Sequence, residues 1–237
     1  MRWLLNNILT RYQSQYHPVV QFDETTDKLL LLDLTRANRE LSPSLVNDTG
    51  LFSAYISKKL QLAKAKYAIG GYNEHRTVYS RSVVFDADGS GEEPRRLHLG
   101  TDIWGEAGTP VYAPMGGMVH SFNFNNNFGD YGATIILLHQ LDGFPFYTLY
   151  GHLSLRDIDH LSEGQYVIRG EEIAHFGTPE ENGNWPPHLH FQLIYDMGTF
   201  RGDYPGVCKL SEKSKWLSNS PDPDVILQMN KFLGNYE

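Results

Sequence analysis

A succession of short β-type runs, separated by Gly, Pro and Asn, fills most of the chain after Gly71 and limits the folds open to it. The runs are 77–85, 110–113, 118–124, 133–139, 146–152, 166–168, 172–176 and 188–195. Short strands at regular spacing, with turn signals between them, are typical of an all-β unit. The sequence therefore predicts a mainly β module in this part of the chain.

The first third of the chain has a different, mixed α/β pattern. A strand is predicted over residues 28–34. A helix is predicted to open at Asp48-Thr49, because apolar residues then recur at helical spacing as far as Tyr67. Gly70-Gly71 is the expected end of this helix. Near the C-terminus, Asp222-Pro223-Asp224 is expected to cap a short helix that runs through Phe232.

These patterns predict three parts. They are an α/β N-terminal extension (1–76), a β-module (77–198) and a C-terminal tail with a short helix (199–237).

Composition narrows the classes of function. The 237 residues are 41% hydrophobic and 20% charged, which is ordinary globular composition. The formal net charge of −8 makes the chain a poor general binder of nucleic acid, anionic membranes and anionic cell-wall polymers. Nucleic acid and membranes are therefore not expected partners. The single cysteine, Cys208, cannot form an intramolecular disulfide. We see no signal peptide and no apolar run long enough to span a membrane, so the expected location is cytoplasmic.

Ten histidines are present, and three groups of them suggest chemistry. The groups are His98-Leu99-Gly100-Thr101-Asp102, Tyr150-Gly151-His152-Leu153 and Pro187-His188-Leu189-His190-Phe191. The other six histidines are expected to be structural or exposed; they are His17, His75, His120, His139, His160 and His175.

The spacing within these groups is compatible with a metal site. In a strand, alternate side chains share a face, so His188 and His190 point the same way and could both bind one metal ion. Gly100 allows a bend that brings His98 and Asp102 to one point. Three N/O ligands plus water is the pattern of catalytic zinc, and one cysteine is too few for a thiolate-rich structural site. The competing interpretation is a cluster of buried, hydrogen-bonded histidines.

The motifs and their order resemble those of the LytM/lysostaphin-type zinc metallopeptidases, whose domain is also described as a duplicated hybrid motif. The family's His-x-x-x-Asp is met by His98 and Asp102, its Tyr-x-His-Leu by residues 150–153, and its His-Leu-His-Phe by residues 188–191. The glycine-rich segments 108–114 and 117–119 also fit. The resemblance covers roughly residues 95–195 and implies a module of antiparallel sheet.

The resemblance implies a role for each of five residues. His98, Asp102 and His190 would bind one Zn²⁺ per chain. His152 and His188 would be the catalytic pair, and the sequence does not say which of them is the general base. The implied activity is that of a bacterial zinc metalloendopeptidase acting on peptidoglycan-type or glycine-containing peptides.

Some features depart from the family pattern and leave alternatives open. Residues 184–187 read Asn-Trp-Pro-Pro where the family often has Ser/Thr-Gly-Pro, so Trp185 is expected near the substrate groove. Latent members fill the metal's open position with an Asn from a preceding segment, and Asn73 or His75 is a candidate for that role. A zinc-containing binding or regulatory module without turnover, and a hydrolase of another intracellular amide, are the rival functions. The oligomeric state is not predicted.

Overall fold

The computed structural model describes residues 2–86 and 91–234 of the chain. It is mainly β, which confirms the predicted fold class. Twelve strands lie in these residues, and their bounds are β1 Leu29–Leu31, β2 Tyr67–Gly70, β3 Leu97–His98, β4 Thr101–Trp104, β5 Pro110–Tyr112, β6 Gly117–Asn125, β7 Gly132–Leu141, β8 Phe144–Leu153, β9 Tyr166–Val167, β10 Glu172–His175, β11 His188–Ile194 and β12 Val207–Cys208.

One eight-stranded sheet dominates the fold, in the order β1-β2-β4-β11-β8-β7-β6-β9. All its neighbours are antiparallel except β1 and β2, which run parallel. Two further pairs, β5 with β10 and β3 with β12, are also antiparallel. The turn between β7 and β8 is Asp142-Gly143, and both residues have positive φ, as a two-residue hairpin turn requires.

Five α-helices accompany the sheet in the described residues. They are α1 Arg2–Arg11, α2 Pro43–Asn47, α3 Thr49–Ala63, α4 Lys213–Leu217 and α5 Asp224–Leu227. The predicted start of α3 is confirmed, because the Asp48 carboxylate accepts the backbone N–H of Leu51 at 2.9 Å. Among these helices, none combines the length and the apolar character that crossing a membrane requires.

Three local predictions are wrong. The helix α3 ends at Ala63 with Lys64 in the left-handed conformation, and residues 67–70 form β2, held between β1 and β4, so Gly70-Gly71 is not a helix cap. Residues 78–81 form a 3-10 helix instead of a strand. The C-terminal helix stops at Leu227, where Gln228 takes the left-handed conformation, and a separate 3-10 helix spans Asn230–Phe232.

The core involves both ends of the chain. Leu5 and Leu9 of α1 share one apolar cluster with Ile226 near the C-terminus and with Leu189 and Phe191 of β11. A second cluster packs Phe52 and Ile56 of α3 against Trp104 and Trp185. The division into 1–76, 77–198 and 199–237 stays a prediction, but β2 of the first part lies inside the sheet of the second.

Candidate metal centre

His98, Asp102 and His190 meet where three strands come together. His98 ends β3, Asp102 lies on β4, and His190 lies directly opposite Asp102 in the β4–β11 register. Gly100 makes this approach possible, because a Cβ there would lie 2.5 Å from the His190 ring. All three residues are buried, and their ligand atoms lie close enough together to hold one metal ion.

The distances between these atoms are short. His98 Nε2 lies 2.9 Å from His190 Nδ1. The Asp102 Oδ1 oxygen lies 3.2 Å from His98 Nε2 and 3.0 Å from His190 Nδ1. Two imidazole nitrogens and one carboxylate oxygen thus form a small triangle.

In His98 and His190, the ring nitrogen that points away from the triangle shows which nitrogen carries the proton. His98 Nδ1 lies 2.9 Å from the Gly71 carbonyl, and His190 Nε2 lies 2.9 Å from Gln192 Oε1. The Gln192 amide nitrogen donates to the Pro205 carbonyl and to Ser220 Oγ, so its oxygen must face His190. Both rings therefore donate outward, and three lone-pair acceptors converge in the triangle. A cation satisfies this arrangement, and this donor set is one that zinc accepts.

The electrostatic surroundings of Asp102 and His98 favour the protonation states that bind metal. Burial alone would raise the pKa of Asp102, but its contacts with His98 and Arg76 outweigh that effect and hold the pKa well below its ordinary value. Burial, with a smaller contribution from Arg76, lowers the pKa of His98 to about 3. A neutral imidazole and an ionised carboxylate are the forms that bind metal.

His152 and His188 form a second pair beside the triangle. The centroids of their rings lie 4.1 Å apart, and the centroid of the His152 ring lies 6.3 Å from that of the His190 ring. His152 Nδ1 faces the Asn182 carbonyl at 2.8 Å, and His188 Nδ1 faces the Pro186 carbonyl at 2.7 Å. Each Nδ1 therefore carries the proton, which leaves Nε2 with a lone pair that can accept another.

Burial favours the neutral form of both rings. It lowers the pKa of His188 to about 4. It also lowers the pKa of His152 well below the ordinary value, and the proximity of His188 adds to the effect. Both imidazoles are thus neutral proton acceptors at neutral pH.

The backbone of His152 is held in an unusual conformation. Its φ is +65°, in the left-handed region that few residues other than glycine adopt. The His152 N–H donates to the Tyr131 carbonyl at 2.8 Å, and the His152 carbonyl accepts from Gly177 N–H at 2.9 Å. Strain of this kind persists only where the surroundings impose it, and it often accompanies functional sites.

Aromatic side chains surround the five residues. A cavity of about 800 Å³, including its open mouth, is lined by all five. Trp104 stacks on the His188 ring, with centroids 5.6 Å apart, and Trp185 meets the rings of His152 and His188 edge-on. Trp185 also lines the cavity.

The suggested role of Asn73 or His75 at the metal's open position needs correction. Neither Asn73 nor His75 is among the described residues that line the cavity. The residues of this segment that reach the triangle are Gly71, through its carbonyl, and Arg76, which hydrogen bonds to Asp102 Oδ2. Sequence reasoning missed Arg76 and Gln192, because neither belongs to a histidine motif.

Comparison with known proteins gives a consistent result. Residues 96–201 match the profile of Peptidase family M23. The chain is also 33% identical over 155 residues to the L-Ala--D-Glu endopeptidase of Bacillus subtilis (strain 168), a match that covers 60% of this chain and 44% of that protein. The chain thus spans less than half the length of this relative.

Solved structures of peptidases are also similar to parts of the chain. A zinc-containing peptidase from Vibrio cholerae is 31% identical, over 41% of this chain and 28% of that one, with a TM-score of 0.33. The catalytic domain of lysostaphin from Staphylococcus simulans is 23% identical, over 69% of this chain and 97% of that one, with a TM-score of 0.39.

Proposed function

Because residues 96–201 match the profile of Peptidase family M23, we propose that this chain is a zinc-dependent endopeptidase. His98, Asp102 and His190 hold one zinc ion per chain. His152 and His188 assist the reaction by moving protons. The role of each residue is part of the proposal.

The observation that carries the proposal is the convergence of three acceptor atoms. In the neutral form, each ring of His98 and His190 donates its proton away from the other, and the pKa of Asp102 lies well below its ordinary value. Without a cation, three electron pairs would face one another within about 3 Å in a buried site, which is unfavourable. A cluster of mutually hydrogen-bonded histidines, the competing interpretation, would need a proton between these atoms.

Zinc bound there would polarise a carbonyl and lower the pKa of a bound water to about 7. The chain's own residues supply proton transfer. Nε2 of His152 or His188 takes a proton from the attacking water, and a protonated ring can return one to the leaving amine. Which ring acts as the base stays open.

The proposed substrates are peptides of the peptidoglycan type or glycine-containing peptides. The name of the Bacillus subtilis relative supports this class, because that protein is an endopeptidase for an L-Ala–D-Glu bond. An amide outside peptidoglycan is the alternative within the same chemistry. The cytoplasmic location stays a prediction.

The test combines metal analysis with a substrate panel. We expect about one zinc per chain in the wild type and a large loss of zinc in His98→Ala and His190→Ala. His160→Ala is the matched control, because this histidine is exposed. Stoichiometric zinc that persists in His98→Ala would contradict the metal site.

The same samples are then incubated with muropeptides and glycine-rich peptides. Cleavage by the wild type, with loss in the zinc-deficient variants, supports the peptidase. A zinc-replete wild type that cleaves nothing on a broad panel favours the non-catalytic binding module.

A further inference from the structure

The metal triangle is supported by residues outside the family-matched segment. Gly71, which faces His98, precedes residue 96, and Pro205 and Ser220, which anchor Gln192, follow residue 201. Arg76, which also precedes residue 96, hydrogen bonds to Asp102.

Arg76 is among the largest fully buried side chains of the described residues, with 2% of its surface exposed. Its Nη1 hydrogen bonds to Asp102 Oδ2 and lies 3.3 Å from the hydroxyl oxygen of Tyr79. Its Nε lies 2.5 Å from Glu74 Oε2, and its Nη2 lies 3.3 Å from the Gly70 carbonyl. All three guanidinium nitrogens therefore have partners.

The surrounding backbone is shaped to admit this side chain. Gly71 has a φ of +103°, and a Cβ there would lie 1.7 Å from Arg76 Nη2 and 2.9 Å from His98 Nδ1. On another side, the guanidinium carbon lies 5.4 Å from the centre of the Trp104 ring, which in turn stacks on His188. The guanidinium has little freedom to move.

The two oxygens of the Asp102 carboxylate have different partners. Oδ2 is held by Arg76, and only Oδ1 faces the two histidines. We infer that Arg76 is a positioning residue, which fixes the Asp102 carboxylate so that Oδ1 alone is presented to the metal. This inference rests on the proposed metal site.

The positive charge of Arg76 and its orientation of Asp102 would affect metal affinity in opposite directions when Arg76 is removed. If the guanidinium acted only as a nearby positive charge, its removal would strengthen the binding of a divalent cation. Glu74 already offsets much of that charge through its contact with Nε. If Arg76 orients Asp102, its removal weakens metal binding, as the loss of partners of metal ligands commonly does by about 10–100-fold. The sign of the change separates the two.

The experiment measures zinc affinity of the full chain by competition with a chromophoric chelator. Arg76→Met is expected to bind zinc about 10–100-fold more weakly than the wild type. The visible spectrum of the Co²⁺-loaded protein is expected to change as well, because the freed carboxylate can offer both oxygens. Affinity equal to or tighter than the wild type would overturn the inference.

Arg81→Met is the matched control. Arg81 is a largely buried arginine five residues further along the chain, and it stacks on Trp185. It contacts none of the three proposed ligands. We expect Arg81→Met to keep zinc affinity within about threefold of wild type, because its loss removes no partner of a metal ligand. A fall as large as in Arg76→Met would mean that general loosening is the cause and would also overturn the inference.

Arg76→Lys covers the case in which Arg76→Met does not fold. The lysine keeps the charge but lacks the planar fork that reaches Asp102, Glu74 and Gly70 together, so zinc affinity is expected to fall at least about threefold. An unchanged affinity in Arg76→Lys, when Arg76→Met is unfolded, counts against the inference. If the wild type itself binds no zinc, the proposed function fails, which is a distinguishable result.

Discussion

The paired rings of His152 and His188 permit a quantitative test of the proposed mechanism. General acid–base assistance is worth about 10²–10⁴ in rate, which corresponds to about 3–5 kcal/mol of transition-state stabilisation. His152→Ala and His188→Ala should each lose this much of kcat/KM. Because the rings lie 4.1 Å apart and face the same site, the double variant should lose clearly less than the two single losses together.

The same structure gives the expected cost in stability. Each alanine leaves a backbone carbonyl, of Asn182 or of Pro186, without its imidazole donor. An unsatisfied buried acceptor costs about 1–3 kcal/mol, so the variants should be less stable but folded. Their zinc content should stay near that of the wild type, since neither residue belongs to the triangle.

The assay is cleavage of the best peptide from the substrate panel, with zinc and folding measured on the same samples. Full activity in both alanine variants would refute the assigned mechanism while leaving the metal site intact. Loss of zinc in both would instead show that the pair belongs to the metal centre. A double variant whose loss equals the sum of the single losses would show that the rings act independently.

Three further predictions concern residues around the site and in the core. Gln192→Leu removes the acceptor of His190 Nε2 and should weaken zinc binding about 10–100-fold, measured by chelator competition. Trp185→Ala should change the KM ranking of the peptide panel more than the zinc content, because Trp185 lines the cavity without contacting the triangle. Burial lowers the pKa of His139 to about 4, so the unfolded chain binds the extra proton below about pH 6.5 and stability falls as the pH drops towards 4. Urea unfolding of wild type and His139→Gln at pH 7 and 5 should show about 2 kcal/mol less pH dependence in the variant.

The five candidate residues came from two kinds of sequence signal. Local geometric rules apply to His98, Asp102, His188 and His190, whereas the choice of His152 rested mainly on the family resemblance. Their roles stay a prediction. His188 and His190 are two residues apart in a strand and both line the cavity. Gly100 permits the close approach of His98 and His190, which a larger residue would block. What local rules could not give is the tertiary pairing that brings β3, β4 and β11 together; the order of motifs typical of the family supplied that expectation.

The parts that were wrong or missed depend on contacts distant in sequence. The helical spacing of apolar residues continues past Ala63 to Tyr67, but there the chain leaves the helix to pair with β1 and β4. Arg76 lies in no motif, and its buried guanidinium has Asp102, 26 residues later, among its partners. An arginine in a polar segment is ordinarily exposed, so composition alone gives no reason to place it beside a metal ligand.

The N-terminal extension gives the last prediction, because the latent-peptidase hypothesis and the structure disagree about its removal. If residues before Tyr72 only covered the groove, a chain starting there would stay folded and cleave faster. In the structure, β2 pairs with β4, the strand that carries Asp102, and Tyr67 and Ile69 are buried in the main core. Each such side chain contributes about 1.5–3 kcal/mol, against a total stability of about 5–15 kcal/mol for a typical domain.

The free energy lost with α1, α3 and β2 together should therefore exceed the free energy of unfolding of the whole fold. We expect the truncated chain to lack a cooperative unfolding transition and to retain little zinc, measured beside the full chain by circular dichroism and metal analysis. A truncated chain that unfolds cooperatively, holds one zinc and cleaves peptides faster than the full chain would show that the extension is a removable cover. It would also mean that the sheet order with β2 beside β4 is not required for the metal centre.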